Sequence, residues 1–403
     1  MNFKQLVLAV FSLVLVVLAH AQTKSQSNEM AWNKTLEEAK GQTVYFNAWG
    51  GSDTINDYIS WAAQKVNERH GVTVVHVKTG AGDVVSRVLA EKTAGAKKGS
   101  VDLVWINGEN FKAMKNNGLL LEPWTQLLPN YQYVDVENKT TTTSDFTVDV
   151  NNQEAPWGMA QLVFYYDSDL LKVAPSSMQE FLEVAKNNQG RLTYPALPNF
   201  HGTTFVKQAL IELIDEPSVL TQPVDESKFL KQTKNLWMFL DQLHPNLWHE
   251  GNQFANDSSH MKQLVNNQEI FIGISFNPND AANAVINGEL AQSTRSYVHK
   301  KGSIGNTHFV AIPYNSNAVA GAKVFADFLM SPLAQARKQD INVWGDPTVL
   351  NMTKLTKNEQ SLFESRVESQ QLLKTQDLAN VLLEPHSSWV EALEQEWIKR
   401  YSN

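Results

Sequence analysis

Between Val44 and Lys115 short apolar runs alternate with helical periodicities, and this alternation constrains the fold more than any other feature of the chain. Val44–Ala48 reads as a strand. From about Thr54 to His70, Ile55, Tyr58, Ile59, Ala62 and Val66 recur on one helical face, and Gly71 supplies the stop. Val72–Lys78 is a second strand. Asp83–Thr93 is a helix burying Val84, Val85, Val88 and Leu89. Val101–Ile106 is a third strand, turning through Asn107-Gly108 into a helix around Glu109–Lys115. Strand, helix, strand, helix, strand predicts a parallel sheet covered by helices.

A second α/β unit follows. Ser177-Met-Gln-Glu180 is a capping box opening a helix to about Asn187, Gly190 ends it, and Leu192–Ala196 reads as a short strand. Asn199–Thr204 leads into a helix carrying Phe205, Leu210, Leu213 and Ile214. Ile270–Phe276 is an apolar strand ended by Asn277-Pro278-Asn279-Asp280. Between the units, Asn130–Glu154 is polar and reads as a loop or edge hairpin. Glu154–Leu171 (EAPWGMAQLVFYYDSDLL) then carries a strand, Gln161–Tyr166, apolar on both faces. We expect it to cross between two lobes, with His308–Pro313 as the return crossing. The helix Ala318–Met330 is expected to pack back on the first lobe. Two further capping boxes are read at Thr35–Glu38 and Ser388–Glu391, and Trp389, Leu393 and Trp397 form a core stripe on the tail helix. The expected division is 22–158 with 313–403 as one lobe and 159–312 as the other, with hinge strands at about 158–167 and 307–314.

A chain of 403 residues is long enough for more than one core, and 42% hydrophobic with 19% charged residues is ordinary for a globular protein. The net charge of −8 argues against a nucleic-acid partner. Lys4, the apolar run Leu6–Leu18 and Ala19-His20-Ala21 have the order of a secretory signal peptide, so residues 1–21 are expected to be removed. The chain has no cysteine, which excludes disulfides, thiolate metal sites and a lipid-bearing cysteine after the signal. A free protein of a Gram-negative periplasm is the expected outcome.

Three loops share a strand end, a glycine or polar turn and a helix start: Trp49–Asp53, Asn107–Asn110 and His201–Thr204. Ligands of open α/β sheets bind beyond the carboxyl ends of strands, where helix N-termini offer free N–H groups. Gly50, Gly51, Gly108 and Gly202 would let backbone approach a ligand, with Ser52, Asn107 and Thr203 beside them. Ordinary βα turns would look the same taken singly. Trp49, Trp157, Tyr165, Tyr166 and Trp344 are aromatics near these turns, suited to a ring or a cation, although such rings also serve as core. Glu109 and Asp280, with Asn277 in the turn before it, place carboxylates on opposite lobes and favour a positively charged group; Asp280 could equally cap its helix.

No metal or cofactor is expected. The histidines are scattered, and neighbours such as Tyr165 and Tyr166 on a strand point to opposite faces. Nucleophile elbows and phosphate-binding loops are absent, and no carboxylate pair stands out as a glycosidase's.

The runs YFNAWGGSDTINDYISWAA, VSRVLAEKTAG…GSVDLVWINGENFKAMKNNGLL and APWGMAQLVFYYDSDLL resemble the YnjB-type solute-binding proteins of ABC transporters, and VFADFLMSPLAQARKQD is similar to a late helix of the wider type-2 periplasmic binding proteins. The resemblance covers about Val44 to Pro347. It implies an α/β fold of two lobes, each a mostly parallel sheet flanked by helices, closing on a small solute and delivering it to a permease in the inner membrane. A monomer is expected, with thiamine-like, polyamine or ferric solutes as candidates. By position it points to Trp49–Ser52, Asn107–Glu109 and the crossover aromatics as cleft lining. A secreted hydrolase or lyase on a similar scaffold is the alternative, because fold does not fix function.

Overall fold

The computed structural model describes residues 28–364, 372–373, 377–378 and 380–402. The segment read as a signal peptide, residues 1–21, lies outside the described residues. Among the described residues eleven strands follow one another: β1 (Thr43–Ala48), β2 (Thr73–Lys78), β3 (Leu103–Ile106), β4 (Ser144–Asp145), β5 (Val148–Asp149), β6 (Glu154–Gln161), β7 (Val163–Asp167), β8 (Ile272–Ser275), β9 (Thr294–Tyr297), β10 (Ser303–Ala311) and β11 (Val381–Leu382).

The first sheet runs β2-β1-β3-β10-β6, with β11 added to the start of β10. β1 pairs in parallel with β2 and β3, and the helices Asp53–His70 and Ala81–Thr93 make the crossovers. Ile55, Tyr58, Ile59, Ala62 and Val66 are the buried face of the first helix, as their spacing predicts, and Gly71 ends it in the left-handed region at φ +66°. β10 runs antiparallel to both β3 and β6, so the sheet is mixed.

The second sheet departs from expectation. Its three strands, in the order β8-β7-β9, are antiparallel throughout, because β7 enters directly from β6 and its neighbours return from the opposite end. Leu192–Ala196 forms no strand; only Pro195 bridges to Ala255. The polar Asn130–Glu154 stretch holds the small β4–β5 hairpin.

The described residues form three buried clusters. Phe46, Tyr58, Trp157, Phe325 and Trp344 belong to one, and Val84, Val104, Phe111 and Phe309 to a second. A third, around Phe164, Tyr165, Phe205 and Trp237, surrounds the antiparallel sheet. The two long strands carry the chain between them. β6 gives Ala155 and Trp157 to the first cluster and Ala160 to the third. β10 gives Ile304 to the third, Val310 to the first and Phe309 to the second. The single run read as Gln161–Tyr166 is therefore broken at Leu162, where β6 ends and β7 begins.

Two caps and the tail are corrected. Thr35 sits inside the helix over residues 28–39, with its hydroxyl on the Ala31 carbonyl. Ser388 is the first residue of the helix Ser388–Tyr401, and its hydroxyl accepts from Val224 N. Trp389, Leu393 and Trp397 are core, but of the third cluster, so this helix packs with the second sheet although the sequence placed it with the first lobe. Trp397 Nε1 donates to Tyr194 Oη at 2.8 Å there.

Candidate functional site

The loop Trp49–Ser52 leaves the carboxyl end of β1, and Asn107–Asn110 leaves that of β3. Trp49 stays 40% exposed, and its indole lies flat enough on Gly51 that a Cβ there would strike it. Gly108 has φ +61°, a conformation costly for residues with a Cβ, and its N–H donates to Asp145 Oδ2 at 2.7 Å. Glu109 follows directly, open to solvent yet crowded by protein, and burial pushes its carboxyl up while Lys207 pulls it partly back.

The facing side comes from the third cluster. Asn199 caps the helix Phe200–Leu213 by accepting from His201 N, and Thr203 Oγ1 donates to Glu394 Oε1 at 2.7 Å. Burial raises the Glu394 carboxyl, Glu109 raises it further and Lys207 lowers it. Glu109 and Glu394 are therefore within each other's electrostatic reach although they ride on different cores. His201, held neutral by burial, is lowered to about 4. Ser259 Oγ donates to Gly51 O at 3.3 Å, so the two sides also meet at the first loop.

Beneath the Gly108 turn lies a second acidic layer. Asp145 and Glu154 are buried, and burial drives both carboxyls well above the usual range, with the charge of Asp145 raising Glu154 further. Neither oxygen of Glu154, nor Oδ1 of Asp145, has a hydrogen-bond partner among the described residues.

Several residues expected at the cleft are packed in a core or already paired within the protein. Trp157 is fully buried in the first cluster, its ring 4.9 Å from Trp105 and 5.5 Å from Trp344. The cause is a register shift: His308 pairs with Gly158 and Phe309 with Pro156, which leaves Trp157 as the extra residue of a bulge, turned inward. Trp344 is buried beside it. Tyr165 is core, with its ring over Gly273, and Tyr166 on the opposite face packs edge-on against Tyr297 at 5.6 Å. Gly202 serves close packing, since a Cβ would collide with the Pro195 carbonyl. Asp280 is paired with Lys262 at 3.0 Å, and Asn277 donates to the Trp344 carbonyl. Trp49–Ser52 and Asn107–Glu109 leave the carboxyl ends of the paired strands β1 and β3, and Thr203 bonds Glu394, which feels the charge of Glu109.

Sequence reasoning missed Lys207, Glu394 and Glu384. Lys207 had a signal, because it stands four residues after Thr203 and shares its helical face. The tail glutamates had none, for nothing in the sequence says where a C-terminal helix docks.

The model of the family described as bacterial extracellular solute-binding protein matches residues 61–355. The chain belongs to this family. Protein YnjB of Escherichia coli (strain K12) is 44% identical to this solute-binding protein over 372 residues, covering 92% of this chain and 94% of YnjB. Among solved structures, the TpPotD lipoprotein of Treponema pallidum superposes with a TM-score of 0.66 at 14% identity, covering 89% of this chain and 98% of that one. The periplasmic binding protein AfuA of Actinobacillus pleuropneumoniae, with fructose-6-phosphate bound, gives 0.63 at 14% identity and the same coverages. Identities this low show the two-lobed fold alone. Solute-binding proteins of this family are the substrate-binding components of ABC importers; they bind small solutes, work with a membrane permease, and are periplasmic or anchored as lipoproteins.

Proposed function

We propose that the solute is a small organic cation, held between the Trp49–Ser52 and Asn107–Glu109 loops on one side and Thr203 with Glu394 on the other. The observation that carries this is the Glu109–Glu394 pair. Glu109 raises the Glu394 carboxyl and is itself raised by Glu384, so carboxylates from different cores share one field, and a cation placed among them relieves it. Trp49 adds an exposed aromatic face of the kind that attracts cations. In this reading the mature chain begins after residue 21 and acts in the periplasm as a monomer. It releases its solute unchanged to an inner-membrane permease once the lobes part.

Thermal shifts with matched sets of organic cations, sugars, phosphorylated sugars and ferric complexes test the proposal. A bound solute raises the melting temperature by mass action. Stabilisation by cations, lost in Glu109→Gln and Glu394→Gln, is expected, with mass spectrometry recovering the cation intact. Stabilisation confined to anions, or a chemically altered ligand, would overturn it.

A further inference from the structure

Lys207 stands one turn beyond Thr203 on the helix Phe200–Leu213. Its ammonium is buried and pairs with Glu384 at 2.6 Å, the two side chains being 1% and 3% exposed. The same Nζ lies 4.4 Å from the Phe146 ring centroid and 5.9 Å from that of Phe200. Asn306 Nδ2 donates to the other carboxylate oxygen of Glu384 at 3.1 Å. A carboxylate and two aromatic faces around one ammonium are the elements that recognise alkylammonium ions.

The cage offers more acceptors than Lys207 engages. Asp145 Oδ1 and Asn306 Oδ1 are buried and have no hydrogen-bond partner among the described residues. Asp145 lies within electrostatic reach of both Lys207 and Glu384. Buried acceptors without donors are costly, and an ammonium carries three N–H groups, of which Lys207 gives one to Glu384. The parts also come from separate stretches of chain. Phe146 precedes β6, Phe200 opens a helix of the second sheet's core, Asn306 is on the crossing strand β10, and Glu384 follows β11. The cage is complete only when these stretches are together, which is what a site that senses closure needs.

We propose that this cage is the ammonium subsite of the solute cleft, that it takes a primary alkylammonium group, and that Lys207 is a tethered stand-in which the solute's ammonium displaces. The proposal rests on the cationic reading above and narrows it. A primary ammonium can donate to Glu384, Asp145 and Asn306 together; a quaternary one can donate to none of them. Lys207 then acts as an internal competitor, so that only amines with further contacts in the cleft displace it.

Calorimetric titration of the mature protein with 1,4-diaminobutane and with its permethylated bis-quaternary counterpart tests this. The wild type is expected to bind the diamine and not the bis-quaternary ion. Lys207→Met keeps the stem and removes the competitor, so diamine affinity is expected to rise about tenfold or more, one tenfold step being about 1.4 kcal/mol. Lys207→Gln, which keeps a donor for Glu384, is expected to show the same gain and serves if the methionine variant does not fold. Adding Glu384→Gln to either is expected to abolish the gain. Diamine affinity unchanged or reduced in both single variants would overturn the proposal, as would equal binding of the bis-quaternary ion. If neither cation binds the wild type or any variant, the cationic reading falls with it; if diamines bind but ignore Lys207, only the subsite falls.

Discussion

Asn277, just beyond the end of β8, donates its side-chain amide to the main-chain carbonyl of Trp344 at 3.0 Å. Asn279 and Asn283 do the same to Gly345 and Ile341, each at 2.6 Å. Ala281 and Ala284, among these asparagines, belong to the core around the second sheet, whereas Trp344 belongs to a core of the first. Three parallel amide-to-backbone bonds thus stitch one core to the other. A net hydrogen bond contributes roughly 0.5–1.5 kcal/mol, so replacing all three by alanine should weaken closure by about 2–4 kcal/mol. Small-angle scattering should show a larger radius of gyration and calorimetry a weaker solute affinity. An unchanged radius and affinity would show that the seam does not hold the lobes.

Trp157 and Trp49 should separate cleanly in mutagenesis. Trp157 is wedged among Tyr58, Trp105 and Trp344, so Trp157→Ala should destabilise the fold by about 3–5 kcal/mol. Trp49 is 40% exposed, so Trp49→Ala should change stability by only about 0.5 kcal/mol while weakening the binding of a cationic solute. Urea denaturation beside solute titration reads both. The reverse pattern would return Trp157 to the cleft.

That contrast marks where the sequence could be read. Periodicity made the first unit legible, because helix and strand differ in the spacing of apolar side chains and Gly71 punctuates as glycine should. The direction of pairing in the second sheet was not legible: an apolar run such as Ile270–Phe276 looks the same whichever way its neighbours run. Trp157 misled because a bulge changes which way a residue points without changing its spacing in the chain. At the cleft, Glu109 could be found from its helix start. Glu394 and Glu384 could not, since they arrive through a tail whose docking depends on tertiary packing against Tyr194 and its neighbours.

Lys338 and Asp346 form a fully buried ion pair, and the second carboxylate oxygen of Asp346 meets His308 Nε2 at 3.0 Å on β10. Lys338 also donates to the Pro347 carbonyl at 3.2 Å. Removing one partner of such a pair strands a charge in the interior, so Asp346→Asn should cost about 3–5 kcal/mol. Lys338→Met with Asp346→Leu removes both charges and should be markedly less harmful than Asp346→Asn alone. Chemical denaturation of the two variants checks this, and equal losses would mean that the pair's value lies in its Coulomb attraction and not in mutual neutralisation.

Acid should weaken the fold through histidines that are buried neutral. Burial lowers His244 to about 4, and its Nε2 meets Tyr194 Oη at 2.7 Å; His201 is likewise lowered to about 4. Unfolded histidine titrates near 6.5, so between that value and about 4 the unfolded chain binds more protons than the native one. Stability is therefore intact above about pH 6.5, is lost as pH falls through the window, and levels off below about 4. By pH 5 each histidine should account for about 2 kcal/mol of the loss. His244→Gln keeps a polar side chain for Tyr194 without the titration, so its urea midpoint should fall less than the wild type's between pH 7 and pH 5. Matching slopes for the two proteins would mean that His244 binds its proton equally readily in the folded and unfolded chains, and would overturn this account.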